Sequence, residues 1–530
     1  MAETLERLNE GATHEHDGAQ LAEHYERAQV WTKALHYLML AAEHSQQLFA
    51  MRDALHWLDR AVALCESHPQ SLDPQQSLAI YEQRGAARAQ AGQTKGAVAD
   101  IRRVIDALRA SGERAKTRDA LIHLGMAYRR ADQYDEATAC LTEALRESRL
   151  MNDELHAADT LYHLGTVAWS TGQNDKAIGF HQQAVDICER TGFTDLVAVQ
   201  AYHGRGEAHF ANAEPTAAIA CYTRSLELTR GIGDKSYEAE NLMMIGHACL
   251  GTKGLGDYPR AIANFEAALE IARAADLQWH FGPTLLGLDH ARACMGNYGE
   301  AWTGMQKTMH WLESLNQVRY QFIAADCIGH LLLDIGLNEL AIDYLGRGLA
   351  LGRETGILFW NAAIDTLHAV ARSRLGQTVD TSAQQTTLQQ TRRTSERYMM
   401  VSCINDLAEI ALAAGDANLC RAYADELFTI AEANDLREHE ANARRWRGEA
   451  MLVEKDFASA QAELSHAATI AEDIGRVRLQ MDTHVALTRL FTAQGQHDTA
   501  QRHEEKAHAT KEAIEKSLAY SGLEARLSLN

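Results

Sequence analysis

The 530-residue chain holds only five prolines, too few to punctuate several separate globules of its length. Its nine cysteines are scattered and none forms a CxxC pair, so a disulfide framework is not expected and a reduced, cytoplasmic setting is. No apolar run approaches the ~18 residues of a membrane span. Met1-Glu10 is polar and lacks a signal-peptide core, so a soluble protein without a membrane partner is expected. Basic side chains are outnumbered 51 to 72, and the resulting −21 repels a phosphate backbone, which excludes nucleic acid as an expected direct partner.

Motifs that carry chemistry are scarce as well. The run Gly231-Ser236, GIGDKS, lacks the four residues that a phosphate loop places between Gly and Gly-Lys-Ser, and it lacks a preceding strand. It reads as a joint between helices. His503 and His508 are five apart rather than four, which points them to different faces of a solvated helix. His14, His16 and His24 show no zinc-site spacing, and no GxSxG elbow is present. No metal, no cofactor and no catalysis are therefore expected.

What the chain does have is repetition. In Asp119-Arg149 the residues Leu121, Leu124, Met126, Ala127 and Tyr128 crowd one helical face. A second face appears at Ala137, Cys140, Leu141 and Ala144. Two amphipathic helices joined by a tight turn leave an apolar face bare, so the unit must recur. It recurs at Ala97, Ala137, Ala177, Ala218, Ala261, Ala301, Ala341, Ala460 and Ala500, mostly in steps of 40 or 41 residues. Twelve residues before six of these stand Gly85, Gly125, Gly165, Gly206, Gly329 and Gly448, where two backbones can approach closely. Cys140 and Cys221 sit three residues after the alanine column, a packing position.

The pattern Leu124, Gly125, Tyr128, Ala137 and Ala144 resembles the tetratricopeptide repeat (TPR), in the long-repeat variety found in bacterial signalling proteins and transcription regulators. The resemblance implies an all-α, right-handed superhelical solenoid of about 12 hairpins. Residues 1–76 read as a helical junction and first hairpin, 77–376 as a regular array, 377–397 as a degenerate hairpin helix rich in Thr and Gln, and 398–530 as a C-terminal array with a capping tail. The opening helices up to Glu66 resemble the junction that joins STAND-type ATPases, MalT-like regulators and ATPase-linked adenylate cyclases to their TPR arms. Between Gly246 and Ala261 the step grows to 15 residues, and a projecting loop is expected in GTKGLGDYP.

In the TPR family the first helix of each pair lines a ligand groove. Carried onto this chain, those positions are Tyr162, Thr166 and Trp169, then His203, Glu207 and Phe210, then Met243 and His247, and finally His290, Asp326 and His330. Aromatics and imidazoles at one facing position would offer stacking and hydrogen bonding to an extended peptide. Ordinary packing between repeats is the other reading of Trp169, Phe210 and Met243. The expected function is a non-enzymatic scaffold for a protein or peptide, as the sensor arm of an ATPase-type regulator or cyclase acting in cis or in trans. A freestanding receptor for a signalling peptide or small ligand is the alternative.

Overall fold

The structure, a computed structural model, describes residues 17–47, 50–252, 254–355, 358–392 and 397–524. Met1-Glu10, His14, His16 and the last six residues of the expected capping tail lie outside them. Within the described residues all regular structure is helical: the helix Asp17–Arg27 precedes twelve hairpins. Their first helices begin at Trp31, Pro74, Arg114, Glu154, Leu196, Lys235, Phe281, Val318, Leu358, Arg397, Arg437 and Val477.

Local chemistry sets the helix ends. Aspartates at 73, 153, 195, 234, 257, 416 and 456 cap first or second helices by accepting from backbone N–H groups that have no partner inside the helix. The turn inside a hairpin needs one left-handed residue, supplied by glycine at Gly92, Gly172, Gly296, Gly336, Gly376, Gly415 and Gly495. The GIGDKS run is a joint of the expected kind: Gly233 ends one helix in the left-handed region, and Asp234 accepts from Ser236 N and Tyr237 N to start the next.

Packing inside each hairpin tracks the glycine column. The Gly125 α-carbon faces Leu141, Gly206 faces Tyr222, Gly329 faces Leu345 and Gly448 faces Leu464, in each case a large residue 16 positions on. The glycine therefore makes room for a bulky partner on the second helix, and Tyr222 and Leu345 are fully buried. Cys221 is buried as well, Cys140 is half-buried, and the nine cysteines, all among the described residues, form no disulfide.

The residues cluster into two units. The first comprises residues 1–171 and 186–191, the second 172–185 and 192–530. In the first unit, Arg109–Glu143, Arg114–Glu147 and Arg118–Asp153 pair residues about one repeat apart at 2.7, 2.7 and 2.5 Å. The first two, whose arginines are exposed, each add ~0–1 kcal/mol, whereas Arg118 is buried.

In the second unit the Thr- and Gln-rich segment forms a helix of only ten residues, Ser382–Thr391, in which Gln384 and Leu388 alone are buried. Residues 393–396 of the expected degenerate hairpin lie outside the described ones. Its short helix touches its neighbours lightly, and Leu358–Arg374 packs directly against Arg397–Ala413 instead. The enlarged joint departs from expectation, because it does not project. Leu255 N and Asp257 N donate back to Ala248 O and Cys249 O at 3.2 and 2.9 Å, and Gly251, Gly254 and Gly256 are buried.

These contacts predict a contrast between two glycines. A methyl group at Gly206 meets the buried ring of Tyr222, so Gly206→Ala should cost about 1–3 kcal/mol. Gly179, helical with open space around it, should gain up to about 1 kcal/mol on the same change. Denaturant melts of both variants check the pair, and equal effects would contradict this packing.

Candidate functional site

Five successive first helices, Val318–Asp334, Leu358–Arg374, Arg397–Ala413, Arg437–Val453 and Val477–Ala493, line one polar cleft of about 100 Å³ in the second unit. The cleft lies where the unit folds back on itself. Phe210 stacks on Tyr398 with ring centroids 5.8 Å apart, Arg397 reaches Glu214 at 3.4 Å, and His439 Nε2 meets Thr252 O at 3.1 Å. The tucked joint thus supplies the carbonyl that holds His439.

Arg476 ties the seam together. Its Nη1 and Nη2 donate to Asp334 at 2.7 and 3.1 Å, and its Nε donates to Glu438 at 2.8 Å. Tyr258 Oη donates to the other Glu438 oxygen, and Tyr298 Oη to Asp334 at 3.4 Å. Burial alone would disfavour the guanidinium, but Asp334 and Glu438 outweigh it and hold Arg476 far above its ordinary pKa. Burial also pushes the Tyr258 hydroxyl well up and the Cys294 thiol to about 12, which keeps both neutral beside the charges.

The other cleft charges are also paired. Arg374 grips Glu409 at 2.5 and 3.0 Å and donates to Leu333 O at 2.8 Å. Arg478 pairs with Asp482 at 2.9 Å. Arg445 lies 3.5 Å from the Trp446 ring centroid and donates to Glu449 at 2.9 Å. Asp406 is different, because burial raises its carboxyl to about 7 against the opposing hydrogen bond from Thr366 at 2.8 Å. Asn442 and Ser402 line the same cleft and take no hydrogen bond through their side chains from the described residues.

The residues singled out in the sequence fall in different places. Tyr162, Thr166 and Trp169 share the helix Glu154–Ser170 in the first unit, all half-buried, and Thr166 Oγ1 donates to Tyr162 O within that helix. His203 is packed between helices: Nδ1 donates to Asn241 Oδ1 at 3.0 Å, and Asn241 passes the chain to Ser225 and Val199 O. Burial lowers its basicity, yet Glu240 and Glu207 outweigh that and hold the imidazole above its usual pKa. Met243 is buried, and His247 stands edge-on to Phe265 at 5.0 Å. Phe210 is the seam contact with Tyr398.

His290 is buried and meets His330 edge-on at 5.7 Å, while His330 lies 3.8 Å from Asp326 and lines the cleft. Of the eleven residues, His330 alone lines the cleft. His503 is not simply solvated: its Nδ1 lies 3.2 Å from His484 Nδ1 and its ring stacks on Phe491, whereas His508 is exposed. Among the described residues no cluster of three metal-ligating side chains occurs, and no helix is long and apolar enough to cross a membrane.

The cleft charges are absent from the groove positions expected from the sequence, although the sequence carries a trace of them. Ser402, Asn442 and Asp482 recur one 40-residue period apart, as do Asp334 and Arg374, on helices that elsewhere present apolar residues. Arg476→Ala strands Asp334 and Glu438 in the interior and should cost about 3–5 kcal/mol by denaturant melting. A carboxyl whose pKa is raised on folding gives stability that is complete below its unfolded value and is lost as pH rises through about 7. Asp406→Asn should therefore match the parent near pH ~3.5 and exceed it increasingly up to about pH 7, where the gain levels off. A pH series of melts that shows a constant difference would refute that assignment.

The tetratricopeptide repeat model matches residues 119–190 and 156–231. No curated protein matches the chain. Similar solved structures include a signal transduction ATPase with numerous domains (STAND) protein with a tetratricopeptide repeat sensor from Pyrococcus horikoshii, at 14% identity, covering 70% of this chain and 55% of that one, with a TM-score of 0.42. The apo form of the quorum sensor NprR from B. thuringiensis is 14% identical over 59% of this chain and 83% of its own, with a TM-score of 0.41. A Rap protein complexed with competence and sporulation factor is 12% identical over 91% and 99%, with a TM-score of 0.35. Residues 119–231 thus match the tetratricopeptide repeat, and the same helical hairpin continues on both sides of them.

Proposed function

We propose that the chain is a non-enzymatic scaffold that receives the end of a partner peptide in the polar cleft of the second unit. In this reading it is the sensor or regulatory arm of a bacterial ATPase-type regulator or cyclase, whose catalytic domains lie elsewhere in cis or in trans. One observation carries the proposal: five successive repeats converge on a cleft whose charges are paired, leaving Asn442 and Ser402 as neutral hydrogen-bonding groups suited to peptide amides or a chain terminus. A volume of about 100 Å³ admits a side chain or chain end and no folded domain. The same small size favours the second reading, a freestanding receptor for a signalling peptide or small ligand. Nine cysteines outside any disulfide fit a reduced cytoplasmic setting, and the net charge of −21 argues against direct contact with nucleic acid.

Asn442 is half-buried and unbonded, so Asn442→Leu fills the cleft without breaking a contact. A library of synthetic peptides with free carboxyl termini, read by fluorescence on immobilised chain, should lose about ten-fold or more in capture. The melting temperature should move by no more than about 2 °C. Capture that survives the substitution, or none by the parent chain, would overturn the reading.

A further inference from the structure

The last hairpin sets two imidazoles against each other outside the polar cleft. His484, on the helix Val477–Ala493, is buried, and His503, on His497–Ser517, is half-buried. Their Nδ1 atoms stand 3.2 Å apart and their ring centroids 5.2 Å apart. Two imidazoles on one tetrahedral zinc ion, with bonds of about 2.0–2.1 Å, stand about 3.3 Å apart at nitrogen and about 5.3 Å apart at their ring centres. The pair already has the spacing of a two-histidine bite.

The surroundings settle which nitrogen carries which proton. Glu472, from the preceding helix Phe457–Asp473, lies 3.4 Å from His484 Nε2. An ionised carboxylate only accepts, so that nitrogen holds the proton and His484 Nδ1 is left with its lone pair. A carboxylate behind a histidine is also the arrangement that orients a metal-bound imidazole. On the other side, the His503 ring stacks on Phe491 with centroids 5.4 Å apart, which fixes its plane. Two bare lone pairs repel at 3.2 Å, so in the metal-free pair His503 Nδ1 donates its proton to His484 Nδ1.

We propose that His484 and His503 bind a zinc ion through their Nδ1 atoms, with Glu472 behind His484 and water in the two remaining coordination positions. The ion takes the place of the shared proton, which moves to His503 Nε2, so no net proton is released. Imidazole nitrogen suits zinc, copper and nickel, and the tetrahedral spacing of the pair selects zinc among them. Magnesium and calcium take oxygen ligands and are refused.

The charges nearby make the ion exchangeable. Lys506 reaches Glu472 at 3.2 Å and Arg502 shares the last helix, so two cations oppose the metal while one carboxylate favours it. Only two ligands come from the protein, and the ion therefore follows its free concentration. The ligands lie on both helices of the final hairpin and Glu472 lies on the hairpin before it, so a bound ion ties down the end of the array.

The test is calorimetric titration of the full chain with zinc chloride in a buffer that does not chelate metals. A saturable step is expected, weakened about ten-fold or more by His484→Gln and by His503→Gln and about ten-fold by Glu472→Gln. Cobalt(II) in place of zinc should give the intense visible bands of a tetrahedral ion, and His503→Gln should abolish them. Zinc should also slow proteolysis within residues 477–517 of the parent and leave that of His503→Gln unchanged. His503 is half-buried, so this variant, shown to be folded by circular dichroism, decides alone if the buried His484→Gln loses helix. Zinc that fails to saturate the parent, equal binding by His503→Gln, or an octahedral cobalt spectrum would each overturn the proposal. None of these outcomes bears on peptide capture by the cleft.

Discussion

Each hairpin presents more apolar surface than its own two helices can cover, and the stack depends on covering that remainder with the next hairpin. A small residue set against a large one makes the cover fit. Where Gly125 faces Leu141 or Gly329 faces Leu345, two helices of similar length approach until a side chain fills the gap. Such complementarity tolerates little added volume, because protein interiors pack about as densely as organic crystals. The weak helix Ser382–Thr391 lacks the large partners, so its flanking first helices pack on each other and leave it at the margin.

The second unit adds a constraint of another kind. Its seam is closed by polar groups taken out of water, and the arrangement is tolerable only because each charge has a partner. Arg476 alone satisfies two carboxylates, each of which also accepts from a tyrosine hydroxyl. The imidazole and aromatic residues that would line an open groove are partly used here. Phe210 rests on Tyr398, His203 is committed to Asn241, and His290 is buried against His330. What remains open is the cleft at the centre of the seam.

Much of the hairpin architecture was legible in the sequence because it rests on local rules. The alanine and glycine columns mark helix contacts inside one repeat, and aspartate and glycine at the joints mark helix ends within a few residues. The seam was not legible, since it joins Tyr258 to Glu438 and Asp334 to Arg476, pairs with no fixed spacing. The joint GTKGLGDYP shows the limit plainly: an insertion reads as a projecting loop, whereas Leu255 N and Asp257 N turn it back onto its own helix and Thr252 O meets His439. Groove positions carried over from the repeat pattern assume an open inner face, and the return of the last hairpins alters which of them meet solvent.

That return changes what kind of repeat array this is. An open stack behaves as a one-dimensional chain of neighbours, able to nucleate anywhere and to fray from its ends. In the second unit, contacts 142 to 187 residues apart join early hairpins to late ones. Loss of one hairpin is then felt at both sides of the seam, and the final hairpin cannot fray without opening contacts made by an earlier one, such as Arg476 with Asp334. Sequence-distant contacts of this sort slow folding, because the intervening chain must be ordered before they form. The second unit therefore exchanges the modular assembly of an open stack for the cooperativity of a closed one.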